Sequence, residues 1–220
     1  MKPILPLALL SLFPLSACDQ TEQLIAFNVE NYAVLFPAAR GSTTATTMPT
    51  NGGADYVGYA NMEVSDPVAR ASDHYAGRST FSAEFTSSGG TVEGTLDNFV
   101  VRRAVPWTEA DVAYLAFDAA TTDAEREAAR RSLLEGAVIA EGAVAIPSTT
   151  ITGRDFTATF DGTVSEGGSS LNVAGTGVGR FWGTDADGVS VLGRTATTGL
   201  LLTQDGTARG GAVEAVGRAD

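Results

Sequence analysis

Apolar and polar residues alternate along most of the chain after residue 51, and this period of two is typical of β-strands that bury one face. Residues 80–85 show it clearly, since Phe81, Ala83 and Phe85 fall on one face and polar residues on the other. The pattern predicts eight to nine strands, over 56–64, 80–85, 91–101, 137–146, 156–164, 171–182, 189–198, 199–204 and 208–216.

Strands this short and this closely spaced leave exposed edges unless the sheet closes on itself. Turn signals separate them, among them Gly89-Gly90 and Asp205-Gly206, and short turns join antiparallel neighbours. We therefore expect an all-β fold, an eight-stranded antiparallel up-and-down β-barrel.

One segment, residues 106–135, departs from the period of two and predicts a helical insertion. Thr108 marks the start of a first helix. Thr122 and Glu125 have the spacing of a capping box, and Gly136 stands where a helix C-terminus favours glycine.

Three arginines of this insertion, Arg126, Arg130 and Arg131, carry much of the positive charge of the chain. We expect them to pair with glutamates at helical spacing. A role in binding is the alternative.

The N-terminus has the order of an export signal. Lys2 precedes an apolar run over residues 4–15, which ends in Leu-Ser-Ala-Cys at Cys18. The run is shorter than the roughly 20 residues that a membrane-spanning helix needs. The ending resembles a bacterial lipobox, which implies cleavage before Cys18 and a diacylglyceryl group on its thiol. An ordinary secretory signal and a buried amphipathic segment are the alternatives.

We divide the chain into a lipoprotein signal peptide (1–17), a lipid-anchored N-terminal segment with a flexible linker (18–50) and a barrel domain (51–220). Residues 41–50, GSTTATTMPT, are typical of a flexible linker. The preceding segment is apolar enough to dock on another surface, through Leu24, Ile25, Phe27, Val34, Leu35 and Phe36.

Composition narrows the function further. The formal charge is −12, and loss of Lys2 with the leader would make it −13. Such a polyanion does not attract nucleic acid or anionic lipid through bulk electrostatics. Cys18 is the only cysteine, so a disulfide framework is excluded.

Three short motifs follow one another in the predicted barrel. The first contains Phe81, Ala83, Phe85, Gly94 and Leu96, the second Gly153 and Phe156, and the third Gly179, Phe181, Trp182 and Gly183. Their order and spacing resemble the C-terminal β-barrel of transferrin-binding protein B and related bacterial surface lipoproteins. This resemblance covers residues 51–220 and implies a single barrel that binds a protein or a haem-like molecule.

Alternating glycines also suggest how the barrel is packed. Gly175, Gly177 and Gly179 lie on one face of one strand, where missing side chains leave space for bulky neighbours. An eight-stranded barrel is just wide enough to be filled by side chains. We expect five phenylalanines to fill it, namely Phe81, Phe85, Phe156, Phe160 and Phe181. A small apolar ligand in the barrel mouth is the alternative.

Little catalytic chemistry is evident. His74 is the only histidine, and we expect it in an exposed connection before the second strand, although haem ligation by His74 or a tyrosine stays open. Asp185-Ala186-Asp187-Gly188 begins like a calcium loop but lacks the third acidic position and the closing glutamate, so we expect a turn. We predict no catalytic residue, cofactor or metal site.

The sequence therefore predicts a monomeric outer-membrane lipoprotein, on the periplasmic or cell-surface face, whose barrel recognises a protein or a small ligand, haem- or iron-related compounds included. The alternative is a structural envelope lipoprotein that partners an outer-membrane protein. Asp19 leaves inner-membrane sorting open, and an integral barrel is disfavoured because the strands carry no continuous apolar outer band.

Overall fold

The computed structural model describes residues 16–41, 45 and 47–219, with backbone alone for residues 16–19. The first fifteen residues of the predicted signal peptide, and residues 42–44 and 46 of the predicted linker, lie outside this description.

Nine strands and three α-helices make up the fold. The strands are β1 (Gly52–Asp66), β2 (Ala71–Thr86), β3 (Gly89–Pro106), β4 (Val138–Ile151), β5 (Asp155–Glu166), β6 (Ser169–Trp182), β7 (Gly188–Arg194), β8 (Leu200–Gln204) and β9 (Thr207–Ala219). The α-helices are α1 (Ser16–Gly41), α2 (Trp107–Ala119) and α3 (Asp123–Ser132), and a 3₁₀ turn covers Thr184–Ala186.

The strands close into an eight-stranded antiparallel barrel. Each of β1 to β6 pairs with the next strand along the chain, and β1 pairs with β9 from Tyr56↔Ala219 to Ser65↔Gly210. β7 and β8 both lie between β6 and β9, on successive stretches of β6, so together they occupy one position in the barrel. The predicted fold class is confirmed.

Apolar side chains from every strand fill the barrel interior. The five phenylalanines expected there, Phe81, Phe85, Phe156, Phe160 and Phe181, are at most 5% exposed. A Cβ atom on Gly177 would lie 2.7 Å from the Phe160 ring, so the glycines of β6 make room for these rings.

Part of the predicted linker covers one end of the barrel. The backbone N–H of Ala45 donates to the Phe181 carbonyl (3.2 Å), and Met48 packs on the interior cluster. Thr47 Oγ1 donates to Asp185 Oδ1 (2.6 Å). These described linker residues therefore contact the barrel; the flexibility predicted for the segment stays a prediction.

Helix α1 lies along the outer wall of the barrel, where the sequence predicted docking but no helix. Ile25 and Val29 pack with Ala76 of β2, and Tyr32 and Leu35 pack farther along the wall. Asn28 is a polar residue within this apolar face. The sequence therefore lacks the continuous helical period of apolar residues that would predict α1. The Nδ2 of Asn28 donates to two carbonyls of the wall, those of Ala60 (3.2 Å) and Gly77 (2.9 Å).

Helices α2 and α3 confirm the predicted insertion. The Glu125 N–H donates to Thr122 Oγ1 (3.3 Å), and the Thr122 N–H donates to Glu125 Oε2 (3.0 Å), which completes the predicted capping box. Helix α2 begins at Trp107, one residue before Thr108, and Pro106 caps it without a side-chain hydrogen bond.

Within the part of the chain that the structure describes, no helix combines the length and apolarity that crossing a membrane requires.

Candidate functional site

A cleft of about 270 Å³ lies between the outer wall of the barrel and the three helices. Four strands of the wall, β1, β2, β7 and β9, contribute to its lining together with α1, α2 and α3. The lining includes Tyr32, Phe36, Arg40, Asn61, Glu63, His74, Tyr114, Phe117, Asp118, Arg130, Arg194 and Glu214.

Arg130 of α3 is the most deeply buried charged residue of the lining, at 3% exposure. Its Nη2 donates to Asn61 Oδ1 and to Asn28 Oδ1 (3.4 Å), and its Cζ lies 4.5 Å from the centroid of the Tyr32 ring. These contacts fix the guanidinium by neutral groups of β1 and α1.

The charge of Arg130 has no close counter-ion among residues 20–41, 45 and 47–219, because none of their carboxylates lies within 4.0 Å of it. Its Nε is buried and has no hydrogen-bond partner in this part of the chain. Burial of an unpaired charge is unfavourable. The cleft is therefore suited to receive an anionic group at Arg130.

The predicted pairing of the three arginines with glutamates at helical spacing is wrong. Arg126 bonds Asp123 three residues earlier (2.8 Å). Arg131 bonds Glu22 of α1 (3.1 Å), so its partner is on another helix. Arg130 faces the cleft because α3 packs this side of itself against α1 and the barrel.

Glu214 of β9 brings a negative charge to the same cleft. The Tyr59 hydroxyl donates to its Oε1 (3.3 Å), and no described lysine or arginine lies within 4.0 Å of the carboxylate. Burial raises the pKa of Glu214, while the positive charges of Arg130 and Arg40 oppose that rise. Glu214 is thus a second charged group without a close counter-ion.

Glu63 of β1 is the better satisfied carboxylate of the cleft. It accepts hydrogen bonds from Ser72 Oγ (3.1 Å) and from the Tyr114 hydroxyl (3.3 Å). Both donors are neutral, and no described arginine lies within 4.0 Å of the Glu63 carboxylate.

His74 lies inside β2 and is 2% exposed, so the predicted exposed connection is wrong. Helices cover the outer face of this part of β2, which leaves both faces buried and removes the alternation that marks a strand. Burial, together with the charge of Arg130, lowers the pKa of His74 to about 4. The imidazole is therefore neutral at pH 7, and its Nε2 has no hydrogen-bond partner among the described residues.

Aromatic rings line another part of the cleft. Tyr32 stacks on Phe36, with 4.7 Å between centroids, and makes an edge contact with Phe117 at 5.0 Å. Desolvation raises the pKa of the Tyr32 and Tyr114 hydroxyls, so both phenols stay neutral. Arg40 and Arg194 complete the lining as exposed residues.

The predicted lipidation residue and the residues of the three motifs lie elsewhere. Cys18 is in the first turns of α1, and the motif residues Phe81, Ala83, Phe85, Leu96, Phe156 and Phe181 are in the barrel core. Gly94 and Gly179 face core rings, Gly153 (φ 64°) and Gly183 (φ 83°) lie in turns, and Trp182 packs on the outer wall with α1. None of the motif residues lines the cleft, and the roles of Cys18 and of the motif residues stay predictions.

Sequence reasoning singled out Arg130 but missed Glu214, Glu63 and Tyr114. Glu214 occupies an outward position in an alternating strand, where an exposed glutamate is ordinary. Only the helices above it make it part of a cleft, and no local pattern reveals that contact.

No metal site is evident in the described ranges, since they contain no group of three or more His, Cys, Asp or Glu side chains placed to hold an ion. Asp187 instead closes the short turn at Thr184–Ala186, where its Oδ2 accepts the Thr184 N–H (3.1 Å).

Comparison with known proteins finds distant likenesses among solved structures. No protein-family model matches the chain, and no curated protein matches it. Among solved structures, transferrin-binding protein B of Haemophilus parasuis, a vaccine antigen, aligns with a TM-score of 0.40 and 17% sequence identity. The alignment covers 81% of this chain and 28% of that protein.

Proposed function

We propose that this chain is a lipid-anchored binding protein of the bacterial envelope and that its ligand occupies the cleft beneath the helices. The observation that carries the proposal is Arg130, a 3% exposed arginine in the cleft lining without an ion pair to any described residue. If α3 had only a structural role, an apolar residue at this position would be more favourable, because it would avoid the free-energy cost of desolvating a charge.

The fold favours the cleft over the barrel interior. The interior is filled by the apolar cluster, and residues 45, 47 and 48 cover one end of it. A ligand site in the barrel mouth, the alternative drawn from the sequence, therefore has less support than the cleft between wall and helices.

The size of the cleft favours a small ligand. Its volume, about 270 Å³, is below the roughly 300–1,000 Å³ that is usual for drug-sized ligands. We accordingly propose a small molecule in place of the haem-like or protein ligand that the sequence resemblance implies.

The anchor supports an envelope location. The leader and Cys18 have the order that lipoprotein export requires, and Cys18 belongs to α1, the helix that packs on the barrel. We propose attachment to the outer membrane, on the periplasmic or cell-surface face. Membership of the transferrin-binding protein B family also stays a proposal.

A thermal-shift screen of the purified full-length protein tests the binding function. The probes are organic acids, amines, amino acids and sugars, applied to the wild type, Arg130→Met and Arg131→Met. We expect one class of probe to raise the unfolding midpoint of the wild type and of Arg131→Met but not of Arg130→Met. Arg131 is the matched control because it stands next to Arg130 on α3 and is half exposed.

Two results would contradict the proposed site. One is ligand stabilisation that survives unchanged in Arg130→Met. The other is no stabilisation by any class together with co-purification of an outer-membrane protein, which would favour the structural envelope role.

A further inference from the structure

We infer that the cleft is built for a small zwitterion, a single molecule that carries both a carboxylate and an ammonium group, as an α-amino acid does. This inference rests on the proposed function and names the ligand class of the same site. It follows from two opposite charges that line the cleft without pairing with each other.

The positive charge is fixed at Arg130. Its Nη2 is held by the side-chain oxygens of Asn28 and Asn61, and the plane of Tyr32 lies against it. The buried Nε has no partner among the described residues. A guanidinium held in this way presents its remaining N–H groups to a carboxylate, which it binds with charge-assisted hydrogen bonds.

The negative charge is fixed at Glu214. Tyr59, fully buried in the wall, donates to one oxygen of this carboxylate, and no described cation lies within 4.0 Å of it. Separate hydrogen-bond partners thus hold Glu214 and Arg130 on different walls of one cleft.

A ligand with one charge fits this arrangement poorly. Glu214 would repel a simple anion bound at Arg130, and Arg130 would repel a simple cation bound at Glu214. The remaining charged residues of the lining are equal in number, two arginines (Arg40 and Arg194) and two carboxylates (Glu63 and Asp118). Arg40 and Arg194 also act on Glu214, because their positive charges lower its pKa. One molecule that carries both charges can pair with Arg130 and with Glu214 at the same time.

The volume and the aromatic lining of the cleft indicate the size of the ligand and the nature of its side chain. A volume of about 270 Å³ equals that of about nine water molecules in the liquid, at about 30 Å³ each. This suits a molecule of about ten non-hydrogen atoms. Phe36, Phe117 and Tyr32 form the aromatic part of the lining, so an apolar or aromatic side chain fits best.

Three probes with the same hydrocarbon group distinguish the contribution of the ligand carboxylate to affinity from that of the ligand ammonium group. They are L-phenylalanine, which has both charges, 3-phenylpropanoate, which has the carboxylate alone, and 2-phenylethylamine, which has the ammonium alone. Isothermal titration calorimetry with the purified full-length protein measures their dissociation constants. We expect phenylalanine to bind about tenfold or more tightly than either single-charge probe, since a hydrogen-bonded charge contributes at least that factor.

Two variants assign the charges to their residues. Arg130→Met should abolish binding of phenylalanine and of 3-phenylpropanoate. Glu214→Gln keeps the shape of the side chain and should bring the affinity for phenylalanine down to that for 3-phenylpropanoate. The controls are Arg131→Met and Glu141→Gln, both outside the cleft, which should bind as the wild type does. Circular dichroism identifies any variant that fails to fold, and Glu214→Gln then carries the test.

The outcomes separate the two proposals. Equal affinity for phenylalanine and 3-phenylpropanoate, with loss of both in Arg130→Met, would overturn the zwitterion and leave the cleft as the binding site. Binding of another compound through Arg130, with none of the three probes bound, would do the same. Binding of phenylalanine that persists in a folded Arg130→Met variant would overturn both proposals.

Discussion

At Gly179 the barrel interior has room for an aromatic ring and none for an added methyl group. A Cβ atom there would lie 2.1 Å from Cε2 of Phe156, whose ring in turn packs on Phe181 at 5.6 Å between centroids. We expect Gly179→Ala to lower the free energy of unfolding by about 1–3 kcal/mol, because overpacking displaces the ring. Urea unfolding followed by tryptophan fluorescence measures the change.

Gly210→Ala is the matched control for this substitution. Its Cβ would meet no atom within 4 Å, so its effect should stay within about 0.5 kcal/mol. Equal destabilisation by both variants would show that loss of glycine, and not contact with Phe156, causes the effect.

The lowered pKa of His74 predicts that the free energy of unfolding depends on pH. Burial lowers its pKa in the fold to about 4, whereas an unfolded histidine titrates near 6.5. Between these values the unfolded chain binds the proton and the fold does not, so stability falls as the pH falls from about 6.5 to about 4, by up to about 3 kcal/mol. Urea unfolding of wild type and His74→Gln across this range gives the measurement.

Subtracting the stability of His74→Gln from that of the wild type at each pH separates the contribution of His74 from those of the other titrating groups. Glu214 has a raised pKa and acts in the opposite direction, and Asp66 and Asp205 have lowered values, but all three are present in both proteins. Parallel curves for wild type and His74→Gln would contradict the buried, neutral imidazole.

Helix α1 is held to the barrel by a polar residue as well as by its apolar face. Asn28 is fully buried and donates to the carbonyls of Ala60 and Gly77. We expect Asn28→Ala to lower the free energy of unfolding by about 1–3 kcal/mol, because two buried acceptors lose their donor. Hydrogen exchange of the α1 amides should accelerate more than that of the barrel amides.

Asn31→Ala is the control on the same helix. The Nδ2 of Asn31 donates only within α1, to the carbonyl of Phe27 (2.8 Å), so its loss should leave exchange in α1 nearly unchanged. Similar acceleration in both variants would mean that Asn28 does not dock the helix.

The elements that the sequence predicts are those that bury a single face, because their apolar residues then recur at a regular spacing. The barrel strands and the capping box at Thr122 are of this kind. Helix α1 was not predicted, because Asn28 lies in its buried stripe, and the start of β2 was not, because helices bury both faces of the strand around His74. Such positions depend on contacts between distant segments, which local periodicity does not contain.

The candidate site was less predictable than the fold. Arg130 was singled out as part of a basic helix, but its isolation from carboxylates is visible only after α1, α3 and the barrel wall come together. The same assembly gives Glu214 its role. Charge and spacing along the chain therefore located one member of the cleft, and tertiary packing determined the rest.

For the whole molecule, the proposed lipid anchor would determine where the barrel is located. We expect the wild type to incorporate radioactive palmitate and to fractionate with membranes, and Cys18→Ser to do neither, because the Cys18 thiol is the proposed attachment point of the lipid. Carbonate extraction of Cys18→Ser provides the contrast: a protein that stays in the membrane without its anchor would contradict lipid attachment as the means of binding.

The central claim, that the helix-covered cleft binds a small molecule through Arg130, is tested most directly by nuclear magnetic resonance of the arginine side chains. Spectra of ¹⁵N-labelled protein, titrated with L-phenylalanine, report on each Nε–H group. We predict a saturable shift of the Arg130 resonance, assigned by its loss in Arg130→Met, with Arg131 unmoved. An Arg130 resonance that stays unchanged while the protein binds the ligand would contradict the account.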